Sequence, residues 1–224
     1  MPIANPREYL ADIAAVLRTY WPENRTVNIV CHGHSVPSGY FATPMVDTFN
    51  AYPHLLHRGL KHRFPYAVVN VIVTAIGGES SPSGAARFAE EVLCHCPDVL
   101  TIDYGLNDRG VGLEAARAAW VQMIEQALER NVKVLLLTPT PDVTQEPDAP
   151  PEEQWPLRQH AAQIRALAAE YGVGLVDSLA AFARYQREVG ELSDLMSWIN
   201  HPNRAGHELV ARELLRWFPA AQKE

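Results

Sequence analysis

The sequence predicts an α/β fold: a three-layer α/β/α sandwich built on a mostly parallel sheet of five strands. Two observations predict it. Short apolar runs alternate with amphipathic helical segments along the 224 residues, an alternation that favours parallel pairing with right-handed crossovers. The runs are apolar throughout rather than at every second residue, as in strands covered on both faces. The length fits a single domain, 1–224, with one large core.

The elements follow in order. Asn5-Pro6-Arg7-Glu8 has the pattern of a helix start, with an Asn cap, Pro in the first turn and Glu three residues on. Leu10, Ile13, Leu17 and Tyr20 continue it at helical spacing. Val27 to Cys31 is the first strand and Thr48 to Arg63 a helix. Ala67 to Val73, rich in Val and Ile, is the second strand, followed by a helix over Ser83 to Leu93. Val99 to Ile102 is the third strand. Leu113, Ala116, Trp120, Ile124 and Ala127 mark the next helix. Val132 to Leu137 and Val173 to Val176 are the last two strands, separated by a helix over Gln154 to Tyr171. Asn203 caps a final helix carrying Val210, Leu214 and Trp217. Thr138 to Pro156 contains six prolines and several acids, too many for a tight turn, and is read as a lid, a rim loop or a passive insertion.

Composition excludes several classes. A net charge of −7 and no basic run interleaved with aromatics argue against nucleic acid. No apolar stretch approaches the ~20 residues that span a bilayer, so no membrane association is expected. The first residues lack the cationic start and apolar core of a signal peptide. Three cysteines, Cys31, Cys94 and Cys96, are too sparse for a disulfide framework, and a cytoplasmic location is expected. No metal is expected. Cys94-His95-Cys96 lacks a second ligand pair, and no carboxylate matches His54 and His57. No Gly-rich phosphate loop follows the first strand, so no cofactor is expected.

Four short blocks carry the chemistry: Gly33-His34-Ser35, Ile76-Gly77-Gly78-Glu79-Ser80, Gly105-Leu106-Asn107-Asp108 and Asn200-His201-Pro202-Asn203. The first three each follow an apolar run, and the fourth opens the last helix. In open parallel sheets, ligands bind beyond the carboxyl ends of the strands, so the fold alone brings these blocks to one edge. They supply a hydroxyl, a glycine amide, an asparagine amide and an imidazole, which together suit attack on a carbonyl carbon.

The types and order of these blocks, over about Val27 to Trp217, resemble the SGNH hydrolases, also called GDSL esterases and lipases. The resemblance implies a flavodoxin-like fold, with Ser35 as nucleophile, His201 as general base, and Ser35, Gly78 and Asn107 as the oxyanion hole. Gly84 and Arg87 also stand at familiar offsets, and Asp108 is read as structural. Two positions depart from the family pattern. His34 stands where the first block has Asp, and Trp198 stands three before His201, where the family keeps the triad Asp. Asp194, seven positions before His201, is the nearest upstream acid and the candidate third member. A backbone carbonyl of residue 198 or 199 is the alternative, and Asp177 a weaker one. His34 and Arg109 are candidate substrate-binding residues. For His34 the alternative is replacement of a structural carboxylate, and for Arg109 pairing with Glu79 or another acid.

The resulting expectation is a serine esterase that works through an acyl-enzyme on a small-molecule ester, with short acyl groups, such as acetyl on a carbohydrate, as the leading class. A thioesterase or lysophospholipase of the same fold, or a non-catalytic binding module, is the alternative. Oligomeric state is not legible.

Overall fold

The computed structural model describes residues 2–142 and 155–220. The chain enters through a turn in which Asn5 accepts the Arg7 amide on its side chain and the Glu8 and Tyr9 amides on its carbonyl. Helix α1 (Ala11–Arg18) begins only after this turn, later than the Asn5 cap suggested.

The strands are β1 (Thr26–Gly33), β2 (Val68–Val73), β3 (Val99–Asp103), β4 (Lys133–Leu137) and β5 (Gly174–Val176). They form one sheet in the order β2-β1-β3-β4-β5, every pair parallel. This is the flavodoxin-like order, whose switch point lies between β1 and β3. The register sets Gly33 beside Asp103, so the carboxyl ends of β1 and β3 lie side by side.

Between and after the strands come α2 (Ser35–Ser38), α3 (Tyr52–Arg63), α4 (Ser81–Ala86), α5 (Phe88–Glu91), α6 (Leu113–Glu129), α7 (Pro156–Tyr171), α8 (Ser178–Glu188) and α9 (Arg204–Leu215). Side chains alternate across the sheet and fill two cores. Val27, Ile29, Leu135 and Leu137 pack with Leu60, Phe182 and Leu214 on one face. Val30, Leu100, Val134 and Leu136 pack with Phe88, Trp120 and Met123 on the other. Burial on both faces is what makes the inner strands β1, β3 and β4 largely apolar, while the edge strand β2 is partly exposed.

Two stretches differ from the sequence reading. The helix expected over Ser83 to Leu93 is divided into α4, α5 and a 3-10 turn at Leu93–His95. The break falls at Arg87 (φ −99°, ψ 2°), whose guanidinium turns to the Glu79 carboxylate and the Thr74 carbonyl. Helix α8 was not anticipated. Its cap is Asp177, whose side chain accepts the Ala180 amide at 3.1 Å. Of the expected lid or rim loop, residues 143–154 lie outside the described residues.

Among the described residues no helix is long and apolar enough to cross a membrane, and no group of three or more His, Cys, Asp or Glu is placed to hold a metal ion.

Candidate active site

Ser35 is the first residue of α2, immediately beyond the end of β1. The turn is tight, and Gly33 makes it possible: a Cβ there would collide with the Asp103 carbonyl and with the Pro37 ring. A backbone approach this close requires glycine. Ser35 is 7 % exposed, enough to leave its hydroxyl within reach of a small group.

His201, 166 positions away, is delivered by the loop before α9, and its Nε2 lies 2.9 Å from Ser35 Oγ. That separation is within the range for an O–H···N hydrogen bond between a nucleophile and its base. The loop is locked by its own main chain. The His201 carbonyl accepts from the Ser197 and Trp198 amides and from the Ser197 hydroxyl. Asn203 caps α9 through the Gly206 amide and donates to the Asp194 carbonyl. The Tyr40 ring stacks against the imidazole, centroids 6.2 Å apart and planes 28° from parallel. Burial lowers the His201 pKa below its ordinary value. The neighbouring His34 lowers it further, and the Phe41 backbone opposes both.

Among the described residues no carboxylate orients this imidazole. His201 Nδ1 is buried and has no hydrogen-bond partner; the Phe41 backbone lies near without meeting hydrogen-bond geometry. Asp194 is not directed at it. Its carboxylate accepts the Glu191 amide at 2.9 Å in a reciprocal capping box that starts the 3-10 turn Leu192–Leu195. The expectation that Asp194 orients His201 is corrected on this point: a short acidic side chain one turn into a helix satisfies the nearest free amides first. Asp177 is engaged as well, by Arg165 at 2.7 and 2.9 Å and by the Thr138 hydroxyl. The carbonyls of residues 198 and 199 do not reach Nδ1 either.

The Gly78 and Asn107 blocks are tied to each other and to the sheet by hydrogen bonds. Asn107 Nδ2 donates to the Glu79 carbonyl at 2.9 Å, which fixes the amide plane and leaves its second N–H available. Gly78 sits at φ +78° with nothing within 4 Å of the position a Cβ would take. This is a left-handed turn in which glycine avoids strain and whose surroundings are open. Glu79, at the end of that turn, accepts from Arg87 on both oxygens and from the Tyr104 hydroxyl at 2.7 Å. Burial alone pushes the Glu79 carboxyl up, but its hydrogen bonds from Arg87 and Tyr104 outweigh this and hold it below the usual range. Behind Tyr104, His32 lies 3.1 Å from its hydroxyl and 3.0 Å from the Thr74 hydroxyl. Because Tyr104 gives its proton to Glu79, this network assigns the Nε2–H tautomer to His32. Burial and the Arg87 charge lower the His32 pKa to about 4.

Asp108 is structural, as expected: its carboxylate accepts the Ser81 amide at 2.8 Å and the Trp120 indole N–H at 2.7 Å, tying α4 to α6. Arg109, a candidate for substrate binding, is instead committed to Asp142 at 2.7 Å and the Leu106 carbonyl at 2.7 Å. His34 likewise has a structural role. It is 1 % exposed, and its Nδ1 accepts the Val36 amide at 3.2 Å as the cap of α2. Sequence reasoning missed Asp103, Tyr104 and Tyr40. Glu79 and Arg87 were visible in the second block, but nothing in the sequence marked the residues packed behind them.

A model of the GDSL-like lipase/acylhydrolase family matches residues 31–209. An acetylxylan esterase of Geobacillus stearothermophilus is 28% identical over 165 residues, covering 68% of this chain and 74% of that protein. The crystal structure of Axe2, an acetylxylan esterase from the same organism, superposes with a TM-score of 0.71 at 23% identity, covering 86% of this chain and 94% of that one. A two-domain esterase active on acetylated mannans gives a TM-score of 0.73 at 19% identity, covering 94% of this chain and 52% of its own. At these identities the structural likeness speaks for the fold.

Proposed function

The chain belongs to the GDSL-like lipase/acylhydrolase family and is a carboxylic ester hydrolase, and from that premise we propose that it removes acetyl groups from carbohydrates through an acetyl-enzyme on Ser35. The observation that carries the reading is the 2.9 Å contact between His201 Nε2 and Ser35 Oγ at the sheet's switch point. His201 takes the serine proton as Oγ attacks the ester carbonyl. It then returns that proton to the leaving sugar hydroxyl, and in the second half it deprotonates the attacking water. The oxyanion is met by the Ser35 and Gly78 amides and by the free N–H of Asn107. The base works as a dyad, held in place by its loop and by Tyr40 rather than by a carboxylate. A base with a lowered pKa stays unprotonated, and so competent, to lower pH than a free imidazole.

Acetylated sugars are supported by the 28% identical relative, itself an acetylxylan esterase, and by the apolar surface beside the base. Trp198, three residues before His201, is 58 % exposed and Ile199 is 42 % exposed. An exposed indole in the loop that carries the base offers a flat apolar face for a pyranose ring. A reducing compartment fits the three free cysteines, of which only Cys31 is buried.

The test compares acetylated xylo-oligosaccharides with p-nitrophenyl acetate and p-nitrophenyl octanoate. The expected order of kcat/KM places both acetyl esters well above the octanoate. Trp198→Ala is expected to raise KM roughly fivefold, about 1 kcal/mol, for the oligosaccharide while leaving p-nitrophenyl acetate unchanged. Preference for the octanoate would point to a lipase or thioesterase instead, and an equal effect of Trp198→Ala on both acetyl substrates would remove the sugar platform.

A further inference from the structure

Beneath Ser35 lies a buried carboxylate that the hydrolytic chemistry does not use. Asp103 ends β3 and is 3 % exposed. It grips residue 34 twice. Its carbonyl accepts the His34 amide at 3.2 Å, and its Oδ1 faces His34 Nε2 at 3.5 Å. Its Oδ2 accepts the hydroxyl of Tyr52, fully buried, at 3.3 Å. On its other edge the His34 ring carries Nδ1, which accepts the Val36 amide at 3.2 Å and lies 3.4 Å from Ser35 Oγ. The side chains of Tyr52, Asp103, His34 and Ser35 therefore follow one another at separations of 3.3, 3.5 and 3.4 Å, from the start of α3 to the nucleophile.

The hydrogen atoms in this chain can be placed by counting. Val36 N–H is a donor, so His34 Nδ1 has to be an acceptor and the ring proton sits on Nε2. Nε2–H then faces a carboxylate oxygen at 3.5 Å, close enough for electrostatic attraction but outside hydrogen-bond geometry, and it has no hydrogen-bond partner among the described residues. A ring protonated on Nδ1 would set N–H against N–H at the first turn of α2 and leave a buried donor unsatisfied. Asp103 has two acceptor oxygens for two donors, Tyr52 O–H and His34 Nε2–H, and an amide in its place has one. The family block carries Asp where this chain has His34, and an Asp at 34 would not need an acceptor behind it. His34 and Asp103 therefore form a unit.

We infer that Asp103 is a positioning residue for the nucleophile: acting through His34, it fixes the Nε2–H tautomer, so that Nδ1 remains the acceptor that caps α2 and borders the Ser35 hydroxyl. The catalytic consequence rests on Ser35 being the nucleophile; the tautomer itself does not. Asp103→Asn forces a choice. The one amide oxygen takes the Tyr52 hydroxyl, its NH2 faces His34 Nε2, and the ring proton moves to Nδ1, against the Val36 amide.

Two measurements test this. In wild-type protein labelled with 15N-histidine, the ring-nitrogen shifts of His34 are expected to show Nδ1 unprotonated and Nε2 protonated near neutral pH. An Nδ1–H tautomer or an imidazolium overturns the inference, and this reading needs no variant to fold. In kinetics on p-nitrophenyl acetate, Asp103→Asn is expected to lower kcat about tenfold or more with KM within twofold, kcat being taken per folded molecule as measured by circular dichroism, because loss of folded protein alone also lowers the apparent kcat at constant KM. The double variant His34→Asp/Asp103→Asn, which caps α2 with a carboxylate that needs no partner, is expected to recover kcat to within about threefold of wild type. An Asp103→Asn kcat within twofold of wild type, or a double variant no better than Asp103→Asn, overturns it. Fluorophosphonate labelling of Ser35 in the same preparation separates failure of this inference from failure of the nucleophile assignment.

Discussion

The two flanks of Ser35 are built differently. On the oxyanion flank, Asn107, Glu79, Arg87, Tyr104 and His32 form one unbroken set of hydrogen bonds that anchors the Gly78 turn to the sheet. On the base flank, among the described residues, His201 makes one side-chain hydrogen bond, to Ser35 itself, and its other nitrogen has none. The difference indicates where this site invests its order. Donors aimed at a developing oxyanion work only if they are preorganised, and that term is usually the largest in acyl transfer. A base needs a correct distance and a suitable pKa, which a locked loop, a stacked tyrosine and burial supply.

The largest effects should come from the point where the flanks meet. Ser35→Ala and His201→Ala are each expected to reduce kcat/KM on p-nitrophenyl acetate by about 10³-fold or more, and the double variant to be little worse than either, because the pair acts as a unit. Losses that multiply would mean the two groups act independently.

On the oxyanion flank, Asn107→Ala is expected to lower kcat by roughly 10²-fold with little change in KM, since the donor matters mainly in the transition state. A rise in KM at constant kcat would assign Asn107 to substrate binding instead.

Acid titration probes the network behind that flank and the core beneath the base. His32 is lowered to about 4, by burial and the Arg87 charge, and His207 to about 3, by burial and the charge of His201. Both are neutral in the folded state over a range where the unfolded chain, with histidine pKa near 6.5, binds protons. The unfolded state therefore takes up more protons below that value, and stability is expected to fall as pH drops from about 6.5 towards 4. Urea midpoints at pH 7 and pH 5 measure it. His207→Asn should flatten the dependence if it folds, and a midpoint independent of pH would contradict the assignment of buried neutral rings.

The smallest effect is expected at Asp194. Asp194→Asn weakens a capping box on an exposed turn, worth about 0.5–2 kcal/mol at most, and leaves His201 untouched. Its kcat should stay within about threefold of wild type. A loss of about 10³-fold without unfolding would show that Asp194 orients the imidazole during turnover and that the base flank is a triad after all.

The same contrast explains what was legible in the sequence. Ser35, Gly78, Asn107 and His201 stand in blocks whose residue types are dictated by backbone geometry at strand and helix ends, and the folded chain brings His201 to Ser35 and Asn107 to the turn after Gly78. The strands were legible because burial on both faces leaves an uninterrupted apolar run. Partner choice was not. Asp194 is near His201 in sequence, but its carboxylate is taken by an amide three residues back. Arg109 adjoins Asn107, but Asp142 claims it from a different strand's exit. Asp103 reads as the polar end of a strand, and its pairing with His34 depends on a register, Gly33 beside Asp103, that only the folded sheet sets. Helix α8 has a short-range signal in Asp177, whose carboxylate caps Ser178-Leu179-Ala180 and accepts the Ala180 amide, and that role competes with reading Asp177 as a catalytic acid.

The central claim is that Ser35 is activated by His201 alone. Its most direct test is mass spectrometry of the protein after reaction with a fluorophosphonate, with the modified peptide sequenced and the labelling rate followed in variants. One adduct is expected, on Ser35, forming at the wild-type rate in Asp194→Asn and abolished or slowed at least about 10³-fold in His201→Ala. An adduct on another residue, no adduct at all, or labelling of Ser35 that persists unchanged in His201→Ala would contradict the account.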